Sequence, residues 1–243
     1  MERTKTDILA VDNEHRYRAI DDLIEESREG TTYYTLLILS TVIIVAGLLL
    51  ANPAILIGGM LITPVLTPIL LIALGIVASK PRLLKRTGLF ILKSIGVILG
   101  IAFISGLVFS IPENTEFFKS ALFDNSLRAA FLYFIVALAS GIAATFSWVR
   151  KDELNILPGI SIAVSLVPPV ALVGIWLATL ELELMRFYLF VFLFNLFGII
   201  MGGLIVFSMM KFQKTERKIE AKMDEVIKEE EIEKAEKTVT EFN

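Results

Sequence analysis

Cysteine is absent from the 243 residues, which excludes disulfides, thiolate metal sites and a cysteine nucleophile. Histidine occurs once, at His15, ahead of the first apolar run. No Asp or Glu falls inside any long apolar run, and Lys93 is the only charged residue within one. These absences remove a carboxylate proton relay and a tight divalent-metal site, and with them most means of acid–base or nucleophilic catalysis. The chain reads as a non-enzyme without a cofactor. The first thirty residues contain no apolar h-region, so a cleavable signal peptide is not expected.

What is present is oil. Hydrophobic residues make up 55% of the chain, and the mean hydropathy is +0.72. A soluble domain is roughly 45–50% apolar. A helix needs about 20 mostly apolar residues to cross a bilayer, and six stretches qualify: 33–51, 53–78, 88–111, 129–149, 155–180 and 187–210. The expected fold is all-α, a polytopic membrane protein with six transmembrane helices. Lys and Arg set its direction. Lys80, Arg82, Lys85 and Arg86 follow the second stretch, Arg150 and Lys151 the fourth, and Lys211, Lys214, Arg217 and Lys218 the sixth. The remaining gaps are poorer in cations. This bias predicts a multi-pass protein of the cell (inner) membrane with both termini in the cytoplasm. Lys93 lies close enough to the basic gap to snorkel toward it.

The domain reading follows. Residues 1–32 form a cytoplasmic amphipathic leader, through Ile20, Leu23 and Ile24, that lies on the membrane or is solvated. Residues 33–111 and 129–210 form two membrane repeats, joined by an external loop at 112–128. Residues 211–243 form a charged helical tail. In that tail Ile219, Met223, Val226 and Ile227 fall at helical spacing, as do Ile232, Ala235 and Val239.

The two repeats are marked by proline. PAILIGGMLITP (53–64) and PGISIAVSLVPP (158–169) each hold two prolines eleven positions apart. Pro68 adds a further proline to the first. Gly96 and Gly100 follow in the third stretch, and Gly198 and Gly202 in the sixth. Three spans per copy is odd, so the second copy inserts upside down, a common build for transporters. Proline interrupts a helix, and bare backbone in lipid costs several kcal/mol per unsatisfied group. The second helix of each repeat is therefore expected to break near the midplane, against protein or a water-filled cavity. Pro64, Pro68, Pro168 and Pro169 would shape the breaks; Thr63, Thr67, Ser165 and Asn195 would meet a solute. Gly58, Gly59, Gly96, Gly100, Gly198 and Gly202 would let helices approach closely. Asn52 would cap a helix.

The run from Ser40 to Pro68, together with LPGISIAVSLVPP (157–169) and LFNL (193–196), resembles the prokaryotic membrane family catalogued as domain of unknown function 389. The resemblance covers about 33–210. Thr67 stands where that family is expected to carry a small residue, and Phe194 where a hydroxyl residue is expected before Asn195. The resemblance implies a multispan membrane protein and supplies no substrate. The functional expectation is an alternating-access transporter of a small solute or ion, with a midplane site between broken helices. Its alternatives are an ion channel on the same scaffold, and a non-transporting scaffold or sensor whose tail recruits a partner. The expected partners are the lipid bilayer, a small solute or ion, and a second copy of the chain, but no nucleic acid.

Overall fold

The computed structural model describes residues 11–109, 127–150 and 166–241. Those residues are helical: α1 (Asn13–Glu26), α2 (Thr31–Leu49), α3 (Pro53–Ile62), α4 (Leu66–Val77), α5 (Pro81–Phe109), α6 (Leu127–Val149), α7 (Val167–Ala178), α8 (Leu182–Met209) and α9 (Glu216–Glu241), with a 3₁₀ turn at Phe212–Thr215 before the last. Four of them, α2, α5, α6 (over Phe131–Val149) and α8, are long and apolar enough to cross a membrane. The pair α3 and α4, bent by 53°, counts as a fifth span if taken together. The chain is therefore a helical membrane protein. Of the expected span 155–180, only α7 is described; the external loop expected at 112–128 falls almost entirely outside the described residues.

Each boundary has a local cause. α2 ends where Ala51 turns to φ 49°, and the Asn52 amide reaches back 2.9 Å to the Gly47 carbonyl, closing the helix with a left-handed residue. The Asn52 side chain then accepts from the Ala54 and Ile55 amides at 3.0 and 3.3 Å, and Pro53 takes the first helical position, where its missing N–H costs nothing. Thr63 precedes Pro64, which disfavours helical backbone, and it is extended at φ −69°, ψ 123°. That ends α3. Pro68 does not make a second break. It sits in the first turn of α4, a position that needs no intrahelical donor.

α4 and α7 are alike. Each has 12 residues and carries proline in its first turn. Each is followed by a left-handed residue, Ser79 (φ 52°) or Leu180 (φ 61°). The next amide bonds back to the helix, Lys80 N to Gly75 O at 2.9 Å and Glu181 N to Trp176 O at 3.0 Å. The basic gap after the second stretch is mostly helix: Arg82, Lys85 and Arg86 already belong to α5.

α1 and α9 have partners within the chain. They pack on each other, and α1 also touches α4 and α6. Ile20, Leu23 and Ile24 are buried with Phe212, Ile219, Met223 and Val226, all part of one core continuous with the membrane helices. Ion pairs rim this cap: Lys218–Asp21 at 2.8 Å, Arg28–Glu229 at 2.8 Å, Lys222–Glu25 at 3.4 Å and Lys80–Glu220 at 3.2 Å. The leader, the tail and the α4–α5 turn thus share one end of the molecule. Ile232 is exposed; the side chains of Ala235 and Val239 lie outside the described residues. Lys93 lies beside this end too, but it pairs with Glu29 at 2.8 Å rather than joining the basic cluster.

Candidate functional site

Buried hydroxyls in the membrane helices mostly bond back to their own helix. Ser40 and Thr41 donate to the Leu37 carbonyl, Ser94 to Phe90, Thr145 to Gly141 and Ser140 to Val136, at 2.6–3.0 Å. Such bonds satisfy the side chain without a ligand. A site must be sought where polar groups face space.

Among the membrane helices, a cavity of about 200 Å³ is such a place. α8 supplies Tyr188, Val191 and Asn195, spaced to share one face. α7 supplies Pro168, Pro169 and Leu172 from its first two turns. Leu56 and Met60 of α3 and Leu48 of α2 form the opposite wall, and Tyr133 and Val136 of α6 complete it. Tyr188 is 3% exposed and Asn195 6%. Leu48 lies in the last turn of α2, so the cavity occupies the half of the membrane region remote from the α1–α9 cap. At about 1.5 Å per residue, the 12 residues of α7 span roughly 18 Å of a hydrocarbon core about 30 Å thick. α7 alone is therefore too short to cross it.

Of the residues expected to form the site, Pro168, Pro169 and Asn195 line this cavity. Thr63, Pro64, Thr67 and Pro68 are not among its lining residues. The Thr63 hydroxyl donates to the Gly59 carbonyl at 3.0 Å, and Thr67 and Pro68 are buried in α4. Ser165 lies outside the described residues. Tyr133 and Tyr188 were not anticipated. Their signal was available: Tyr188 precedes Asn195 by two helical turns. Phe194 is exposed, so neither departure from the family pattern, Thr67 or Phe194, touches the cavity.

The glycines divide. A Cβ at Gly202 would lie 2.6 Å from both the Ile142 amide and the Leu138 carbonyl; at Gly198, 2.7 Å from Ala137; and at Gly59, 2.6 Å from Ile44. These three let helices touch. At Gly58, Gly96 and Gly100 a Cβ would meet nothing within 4 Å, so no close approach within the chain depends on them.

A family model described as "Domain of unknown function (DUF389)" matches residues 60–201, more than half of the chain. An "Uncharacterized protein" of Methanocaldococcus jannaschii is 30% identical over 197 residues. That alignment covers 80% of this chain and 58% of the relative, so the chain spans under two thirds of the length of the curated relative it matches. No solved structure matches.

Proposed function

Starting from a chain that belongs to the domain-of-unknown-function (DUF389) family, we propose that it is a membrane carrier of a small solute, with its site in the cavity between α3 and the first turn of α7. One observation carries this reading. The cavity sits at the start of a proline-led helix too short to cross a bilayer, taken here as mid-depth, and the buried Asn195 lines it. Backbone ends and polar side chains at that depth persist where they line a cavity.

An inverted repeat is part of the proposal. α4 and α7 correspond at an offset of 101 residues, which pairs Pro68 with Pro169, a different register from the proline spacing of the two quoted runs. Their contacts are reciprocal. α5, from the first half, packs on α7 of the second, and α8 packs on α4. Both crossings use glycine. A Cβ at Gly174 of α7 would lie 2.9 Å from the Leu99 carbonyl of α5, and one at Gly203 of α8 would lie 2.7 Å from Ala73 of α4. Two halves related in this way rock against each other around a fixed site in alternating access. The cap end is taken as cytoplasmic from the positive-inside bias.

The absence of cysteine makes the test clean. Single cysteines at Leu172 and at Thr67, in intact membranes, are exposed to an impermeant thiol reagent from either side. A carrier open on the cavity side labels at Leu172 from the face opposite the cap and leaves Thr67 unlabelled. No reaction at Leu172 from either side, with loop controls labelled, makes the cavity dry packing and removes the carrier reading. Uptake that saturates with solute then separates a carrier from a channel.

A further inference from the structure

The make-up of the cavity narrows what enters it. Among the described residues that line it, none is Asp, Glu, Lys, Arg or His. An ion placed there would lose its hydration with no opposite charge to replace it. A helix start can hold an anion through its free amides, but α7 is a poor example. Its first four residues are Val167, Pro168, Pro169 and Val170, and the two prolines have no N–H to give. No group of three or more His, Cys, Asp or Glu that could hold a metal occurs among the described residues. What remains is an apolar wall with hydrogen-bonding groups at Tyr133, Tyr188 and Asn195. The volume, about 200 Å³, exceeds the roughly 150 Å³ of an apolar cavity that takes benzene.

We propose, resting on the carrier reading above, that the solute is an uncharged amphipathic molecule: a ring-sized apolar body with one polar end. The body lies against Met60, Pro169 and Leu172. The polar end meets the Asn195 carboxamide and the tyrosine hydroxyls. Recognition is by shape and by hydrogen bonding; a carboxylate or ammonium in place of the polar end is rejected.

Three probes of matched shape test this: 2-phenylethanol, phenylacetate and 2-phenylethylammonium, at pH 7. Binding to the purified full chain in nanodiscs is followed by saturation-transfer NMR. The neutral probe partitions into lipid, so the Val191→Trp variant, whose indole fills the cavity, is the blank. Saturable binding of phenylethanol above that blank is expected, with each ion at least about tenfold weaker. Asn195→Leu should weaken phenylethanol about tenfold and spare ethylbenzene, because only the polar end loses its partner. The class is overturned if either ion binds as well as the alcohol, or if phenylethanol binds Val191→Trp as well as wild type. The carrier reading fails separately: specific binding of phenylethanol, with a cysteine at Leu172 unlabelled by the impermeant reagent from either side, would remove transport and leave the ligand class standing.

Discussion

α4 and α7 share a backbone form and differ in what they line. Both are twelve-residue half-helices with proline in the first turn and a left-handed closing residue. The first turn of α7 opens on the cavity, and that of α4 does not line it. Just before α4, the end of α3 is closed internally by the Thr63 hydroxyl on the Gly59 carbonyl. The glycine pairs are divided the opposite way. Gly198 and Gly202, in the half that opens the cavity, are pressed against α6, while Gly96 and Gly100 face open space. A proline in a membrane helix therefore marks a place where backbone must be satisfied, and what satisfies it differs from one half to the other.

The glycine contrast gives the largest expected effect. Gly202→Leu would drive a side chain into the backbone of Ile142 and Leu138, which cannot step aside as a flexible side chain can. Overpacking of this kind costs about 3 kcal/mol or more, and the variant is expected to elute aggregated from size exclusion. Gly100→Leu should elute and melt as wild type. Equal behaviour of the two would mean that the halves pack alike after all.

The two proline sites are separated next. Val191→Trp is expected to lower solute uptake at least about tenfold while the protein remains folded. Thr63→Val should leave uptake within about twofold and cost about 1 kcal/mol in stability, the worth of one internal hydrogen bond. If Thr63→Val abolishes uptake with unchanged melting, the first break belongs to the site as well.

These contrasts also show what the sequence could reveal. The apolar runs exposed five of the membrane elements in nearly their observed places, because hydropathy needs no partner. The capping of Asn52 was legible because it is local. The tail stripe of Ile219, Met223 and Val226 was legible as a face, but its partner, α1, was not, since nothing in either helix specifies the other. Pro68 was misjudged as a break because the position of a proline relative to a helix start decides its effect, and that start was set by Pro64. Asn195 was legible as a polar side chain inside an apolar run. Tyr188 was not, because a tyrosine near a helix end is also at home at a membrane interface. The same limit hid the roles of Gly96 and Gly202: a small residue permits a contact, and only the packed chain says whether one is made.

The cap contrasts with the membrane core in being held at its rim by charge. Burial works against the charge on Lys222, but hydrogen bonds and attraction from Glu225 and Glu25 outweigh it and raise its pKa above the ordinary value. A raised lysine pKa stabilises the folded cap fully below the ordinary value of 10.5 and ceases to do so as pH rises through the folded value. Exposed pairs contribute about 0.2–1 kcal/mol each and are screened by salt. Lys218→Ala with Lys222→Ala should therefore cost about 1 kcal/mol at low salt and visibly less at 1 M NaCl, read as melting of the cap. No salt dependence would assign the cap to its apolar face alone.

The smallest effect is also the closest test of the likeness between α4 and α7. Ser79 and Leu180 hold the left-handed conformation that closes each helix, and a side chain pays for it in contact with the following carbonyl. Glycine is free of that strain but is more flexible when unfolded. The strain relieved should exceed the entropy lost, and each substitution to glycine is expected to stabilise by about 0.5 kcal/mol. Leu180 is 78% exposed, so its side chain takes little packing away with it. Equal rises in melting temperature for Ser79→Gly and Leu180→Gly would support the correspondence of the two turns. A rise at one and a fall at the other would show that a shared backbone shape is carried by different contacts in the two halves.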